Sequence, residues 1–503
     1  YTSTTPPPSR RVTTDFAPPL GDFPPDALAR HGHELIDWIA RYLTEIRSYP
    51  VLPRGTPGTI AAQLPTQAPL QGESLDDILR DVRDLLIPGI THWQHPGFFG
   101  YFSITASVPG ILAEILSAAL NVNGMLWATS PAATELEQVT VRWLAGLLGL
   151  DDGWFGQLTD TASTSTLLAL AAARERDPAL AVRQRGLAGR ADLPVLRVYC
   201  SELAHSSVDK AVMVLGLGTD NLVRIPVDAD FRMRTDLLEQ QLAADRAAGH
   251  RPMAIVATAG TTGVASVDPV RAIAAIAARE GVWLHVDAAY AGAVAVAPEL
   301  RGVLDGVEGA QSVVVNPHKW LFTPVGCSAL WVRDADALRR AFTHVPEYLR
   351  TDAGAPLDYH DVGYQLGRPF RALKLWMVLR AFGAEGLAAR IREHNALAQR
   401  FADQVRATPD WEVAAPVHFS LVCVRYAPPG IDAGSADVLN RRILAQVNAG
   451  GRVLLSHTTV HGRVVLRLAI GNARSTADDV DAAWSALQEA AAISRRTPTP
   501  ASA

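Results

Sequence analysis

At residues 312–320 the chain reads SVVVNPHKW, so a valine run leads straight into an imidazole, His318, and an amine, Lys319. A lysine there is either a surface group trailing its methylenes over apolar neighbours or a nucleophile at the rim of a pocket. Other apolar runs end in groups that could work with such an amine. VWLHV is closed by Asp287, inside HVDAAYAG. VATAGTTG supplies Thr261 and Thr262, and YCSELAHSSVDKA puts His205 just past a further run. In LTDTASTSTLLAL, Thr161, Ala162 and Ser163 stand where a helical pattern begins. Free backbone N–H groups at a helix start form an anion site.

An amine, a carboxylate, a flat imidazole and an anion cradle are together what pyridoxal 5'-phosphate requires. A carboxylate at Asp287 would keep the pyridine nitrogen protonated, by charge and by hydrogen bonding. Each residue alone has an ordinary explanation. A strand-end Asp caps turns, a lone His at a helix start is a polar group, and Thr-Ala-Ser before a helix is a common N-cap. Their joint occurrence at the ends of elements in one block is what those explanations leave out. The GLG at 216–218 lacks the third glycine and the following acid of a dinucleotide fingerprint and is set aside.

The elements that must hold these groups can be read from periodicity. Residues 1–23 and the end of the chain, rich in Pro, Ser and Thr, are expected to be disordered tails. Residues 24–106 carry two helical patterns, 24–46 and 74–87, joined by a Pro-rich connector, with Leu28, Leu35, Ile36, Ile39 and Leu43 on one face. That segment is too small to bury both helices alone, so it is expected to pack on something else. Residues 107–376 alternate helices with the strand candidates VLRVYC, MAIVATA, VWLHVDA, SVVVN and SALWVRD. This predicts an α/β fold with a mostly parallel sheet and helices on both faces. Ligands of such sheets sit beyond the carboxyl ends of the strands. Residues 377–503 read as a smaller α+β domain around FSLVCVRY, RVLLSHTTV and VVLRLAIG.

Composition narrows the classes. At 503 residues two or three domains are expected, and a net charge of -5 gives no basic field for nucleic acid. The three cysteines, Cys200, Cys327 and Cys423, are far apart, so neither a disulfide framework nor a metal is expected. A reducing, cytoplasmic setting and no membrane partner fit that usage.

The strings HVDAAYAG, NPHKW and AHSSVDKA also resemble the signatures of the group II pyridoxal-phosphate decarboxylases, the aromatic L-amino acid decarboxylase family. The likeness extends to GITHWQHPGFFGYF, WATSPAATELE, GRPFRALKLWMVLRAFG and VVLRLAIG, nearly the whole chain apart from its tails. It implies PLP fold type I and a homodimer with the active site at the subunit interface, the N-terminal helices wrapping the other subunit. By matching motifs, Lys319 would carry the cofactor, Asp287 would face its ring nitrogen and His205 would stack on the ring. Thr161, Ala162, Ser163, Asn316 and His318 would surround the phosphate. Thr262 would lie by the ring hydroxyl, and Ala289 would also contact the cofactor. Tyr348, in THVPEYLRT, matches a loop tyrosine that returns the proton after CO2 is lost, and phenylalanine there marks aldehyde synthases.

The resemblance further implies a substrate pocket of Trp93, Tyr101 and Phe102 with Asn123, Met125 and Gly367. Glycine at 367 leaves room for an indole, so tryptophan or 5-hydroxytryptophan is expected slightly ahead of DOPA, tyrosine and phenylalanine. The chain departs from the family pattern at Ser103 and Ile104, at Asn123 and Met125, and at Asp160, where a small residue is usual. Three enzymatic alternatives stay open: a fold-type-I aminotransferase, with Arg467 as carboxylate clamp; an aromatic aldehyde synthase; and a decarboxylase of a non-aromatic amino acid. A catalytically silent scaffold of the same fold finds no support, since Lys319, Asp287, His205 and Tyr348 are all present.

Overall fold

The computed structural model of the protein describes residues 21–344 and 357–496. Seven strands build its larger sheet: β1 (Phe155–Thr159), β2 (Leu196–Ser201), β3 (Leu222–Ile225), β4 (Arg251–Thr258), β5 (Trp283–Asp287), β6 (Ser312–Val315) and β7 (Ser328–Val332). Their spatial order is β1-β7-β6-β5-β4-β2-β3. The ladders β3–β2–β4–β5–β6 are parallel, and β7 runs antiparallel to both β6 and β1. The mostly parallel α/β sheet expected from the sequence is the one observed. Its central strands, β4 to β6, are buried on both faces because helices cover both faces.

Two strands of this sheet were not anticipated, β1 and β3, and they are its two edges. FGQLT and LVRI are short and carry Gly, Gln or Arg, so neither shows the apolar run that marks a central strand. The SVVVN reading also needs trimming. The strand stops at Val315, and Pro317–Trp320 forms one helical turn, so His318 and Lys319 ride on a turn rather than on the strand. Proline at the first helical position suits that stop.

A second sheet, order β10-β11-β9-β8, is antiparallel and uses β8 (Trp411–Val413), β9 (Leu421–Tyr426), β10 (Ser456–Val460) and β11 (Arg463–Ala469). The helices Ala433–Ala449 and Ala477–Arg496 pack with it, as does the C-terminal part of the helix Arg371–Arg406. Residues 97–99 lie along this sheet. Phe99 donates its N–H to Leu454 and accepts from Ala469, and Phe98 and Phe99 are fully buried. The N-terminal segment is therefore anchored at its end within its own chain. Its helices, Pro25–Thr44 and Leu75–Asp81, are less well covered: Leu28, Leu35, Ile36 and Ile78 are exposed. The next helix, Val108–Leu120, likewise exposes Leu112, Ile115, Leu116 and Leu120. Among the described residues no helix is long and apolar enough to cross a membrane.

Candidate active site

Beyond the carboxyl ends of β4, β5 and β6 lies a cavity of about 180 Å³. Thr161, Ala162, Ser163, His205, Thr262, Asp287, Ala289, Asn316, His318 and Lys319 all line it. Thr258, Gly260 and Tyr290 line it too, and none of these three was singled out beforehand. Thr258 closes β4 and pairs in register with Asp287, so it could have been read as another polar strand end. Gly260 has φ +92, and a Cβ there would meet that of Ala291 at 2.6 Å, so a glycine is required.

The Lys319 amine has no hydrogen-bond or ion-pair partner among the described residues. Burial lowers its pKa, and the charge of Asp287 opposes that shift. The result is an amine partly biased toward its neutral, nucleophilic form. Its Nζ stands 5.3 Å from the centroid of Phe102. That ring is stacked on Tyr290 at 3.7 Å, and Tyr290 in turn is stacked on Trp320 at 4.9 Å. The Tyr290 hydroxyl is held by Ser420 at 2.8 Å. This aromatic pile forms a stiff backing beside the amine.

Asp287 is buried, and one carboxylate oxygen accepts the Ala289 N–H at 3.1 Å. Both cavity histidines are fixed as neutral rings with the proton on Nε2. The N–H of Ser207 donates to His205 Nδ1 and the N–H of Cys327 donates to His318 Nδ1, each at 3.1 Å. Burial, then the charge of Lys319, pushes His318 down to about 3. Partial burial and then the charge of Lys319 lower His205 as well.

The cradle end is the start of the helix Ala162–Glu175. Thr161 caps it, its Oγ1 accepting from Thr164 N. The N–H groups of Ala162 and Ser163 keep no acceptor among the described residues, as helix starts do. Asp160 accepts the Thr161 N–H at 2.8 Å, and its charge opposes in small part the lowering that burial imposes on His318 and Arg371. Asn316 Oδ1 and Thr258 Oγ1 are buried at this cavity with no partner. Orphaned polar atoms, a free helix start and an unpaired amine facing a carboxylate suit a small aromatic aldehyde carrying a phosphate.

The substrate-pocket residues divide differently. Phe102 is buried beside Lys319, while Trp93 and Tyr101 are exposed, 6.1 Å apart between ring centroids. Asn123, Met125 and Gly367 form a separate group. Asn123 Oδ1 accepts from the Arg368 N–H at 2.9 Å, Met125 O accepts from the His360 N–H at 3.3 Å, and no atom lies within 4 Å of a Cβ built at Gly367. Neither group lines the cavity. Tyr348 lies outside the described residues. Arg467, weighed beforehand only as a clamp for another reaction, is buried with its Nη2 unpartnered.

Comparison with known proteins bears on these groups. The family model described as the pyridoxal-dependent decarboxylase conserved domain matches residues 57–427. A phenylacetaldehyde synthase of Arabidopsis thaliana is 40% identical, the alignment covering 93% of this chain and 96% of the relative. Tyrosine decarboxylase 4 of Petroselinum crispum is 39% identical, with 96% of each covered. The crystal structure of Oryza sativa TDC with PLP and tryptamine superposes with a TM-score of 0.90 at 36% identity, over 94% of this chain and 99% of that one.

Proposed function

The chain belongs to the pyridoxal-dependent decarboxylase family, and on that premise we propose that it converts an aromatic L-amino acid to its amine and CO2. When bound, pyridoxal phosphate supplies the electron sink for the pair left behind by the departing carboxylate. The observation that carries the reading is the unpaired Lys319 amine facing Asp287 in a cavity whose other end is a free helix start.

In this reading each residue has a physical task. Lys319 would hold the cofactor through its amine. Asp287 would keep a proton on the ring nitrogen. The neutral His205 would cover one ring face, its Nε2–H free to donate. The N–H groups of Ala162 and Ser163, with Thr161, Asn316 and the Nε2–H of His318, hold the phosphate. Thr258 and Thr262 donate near the ring's edge, and Ala289 packs against it. Arg467, a buried cation whose Nη2 lacks a partner, takes the substrate's α-carboxylate. Tyr348 returns a proton to the α-carbon and keeps the reaction a simple decarboxylation.

For the side chain, the open space at Gly367 supports an indole, so tryptophan and 5-hydroxytryptophan stand slightly ahead of DOPA, tyrosine and phenylalanine. The exposure of Trp93 and Tyr101, and the ties of Asn123 and Met125 to residues 368 and 360 instead of to the cavity, support a pocket closed by two subunits. The exposed Leu112, Ile115 and Leu116 support the homodimer that this needs.

The test is aerobic and anaerobic turnover of the PLP-loaded enzyme on tryptophan, 5-hydroxytryptophan, DOPA, tyrosine, phenylalanine and glutamate, following amine, aldehyde and CO2. Amine and CO2 in equal amounts from an aromatic substrate is the expected result. Oxygen-dependent aldehyde as the main product would remove Tyr348 from its role. CO2 from glutamate alone would overturn the aromatic reading.

A further inference from the structure

We propose that Ser456 is a positioning residue for this reaction: its hydroxyl holds Arg467 in the orientation that receives the substrate carboxylate. The inference rests on the decarboxylase reading above. Ser456 opens β10 and stands directly opposite Arg467 in the β10–β11 ladder. Its Oγ accepts a hydrogen bond from Arg467 Nη1 at 2.7 Å. On its other side, Arg467 Nε donates to the carbonyl of Gly263 at 2.9 Å, and Gly263 follows the cavity residue Thr262.

A guanidinium is planar, so pinning Nε and Nη1 from two directions fixes where Nη2 points. Nη2 is the nitrogen left buried without a partner. Arg467 is 3% exposed, and no carboxylate of the described residues pairs with it. A buried, uncompensated cation is costly, and an incoming carboxylate is the counter-ion it lacks. Releasing Nη1 would let the plane turn and would lose that direction while the charge stays.

The same hydroxyl reaches a third segment. Ser456 Oγ accepts the N–H of Tyr101 at 3.2 Å, and Tyr101 has φ +52, a left-handed conformation uncommon for an aromatic residue. The turn it makes delivers Phe102 onto Tyr290. The Phe102 centroid then sits 5.5 Å from Arg467 Cζ and 5.3 Å from Lys319 Nζ. One side chain thus ties the N-terminal segment, the small sheet and the cavity loop around the guanidinium of Arg467 and the amine of Lys319. The bond to Arg467 is the shorter and charge-assisted one, so its loss dominates.

The experiment compares the PLP-loaded wild type with Ser456→Ala, Ser456→Val and Ser456→Thr. The visible absorption of the cofactor is titrated in stopped flow with an aromatic amino acid and, separately, with the matching arylalkylamine, which has no carboxylate. Ser456→Ala should raise the amino-acid midpoint by about 10-fold and leave the amine midpoint within about 2-fold. Ser456→Thr, which keeps the hydroxyl, should restore the wild-type amino-acid midpoint. Ser456→Val, β-branched and suited to a strand, gives the same reading if the alanine variant folds poorly. Equal weakening of both ligands, or of neither, overturns the proposal. Because binding is read and not turnover, this result is separate from CO2 release, whose absence would fail the decarboxylase reading instead.

Discussion

The cofactor cradle and the aromatic wall are built on opposite plans. The cradle residues follow the strands of one sheet or start a helix beside it, and three of them are locked by a neighbour's backbone. Ala289 holds Asp287, Ser207 holds His205 and Cys327 holds His318. The wall residues sit on connecting segments: Trp93 and Tyr101 are solvent-exposed, and the Asn123–Met125 loop is tied to residues 360 and 368 instead of to the cavity. A group that must hold one cofactor can be pre-formed by a single chain, because helix starts and strand ends are rigid. In the function proposed above, substrate choice falls to surface segments that would gain their final neighbours on assembly. The contrast is sharpest at Phe102, a wall residue that packs into the cradle.

The contrast can be broken at several points. Lys319→Ala should lower turnover by at least about 10³-fold and remove the cofactor's visible band, without changing the far-ultraviolet dichroism. Next in size is Leu116→Asp, which puts a charge on the exposed apolar face of the helix Val108–Leu120. It should weaken self-association in sedimentation by roughly 10²–10³-fold and lower turnover with it, while cofactor uptake falls much less. Equal loss of uptake would mean that the cradle also depends on assembly. Gly367→Ser should move the tryptophan-to-tyrosine ratio of kcat/KM by about 10-fold toward tyrosine, leaving the visible spectrum unaltered.

The smallest effect concerns pH. Burial holds His318 at about 3 and both His285 and His394 at about 4, so the folded state keeps these rings neutral where the unfolded chain protonates them. Their stabilisation is therefore full above about 6.5 and is lost as pH falls from there toward about 4. Asp268, raised to about 6 by burial, has the opposite sign between its ordinary value and about 6 and offsets part of the loss. A drop in melting temperature of several degrees between pH 6.5 and 4.5 is expected. Replacing His285 by Gln should shallow that slope, since one of the three rings no longer titrates.

Much of the cradle was legible in the sequence because its residues punctuate apolar runs. Asp287, Lys319 and Thr161 each follow or start an element whose period is plain. Thr258 was hidden inside the run MAIVATA, although it lines the same cavity. The edge strands β1 and β3 were not legible, since an edge needs no continuous apolar face and FGQLT shows none. Ser456 carried no signal at all. Its importance comes from a cross-strand pairing with Arg467 and from a contact 355 residues away at Tyr101. The wall was legible only through family likeness, and two of its members, Asn123 and Met125, use polar atoms within their own chain.

The central claim is that a single amine in the cradle holds the cofactor, and the composition makes it directly testable. The chain has only three lysines: Lys210, Lys319 and Lys374. Lys374 is engaged by Glu114 and by the Val325 carbonyl, and Lys210 is exposed on the helix Ser207–Val214. The PLP-loaded protein should be reduced with borohydride, digested, and its peptides weighed. A pyridoxyl group on the peptide containing Lys319, and on neither of the others, is the predicted result. The same group on Lys210 or Lys374, with Lys319 unmodified, would contradict the account.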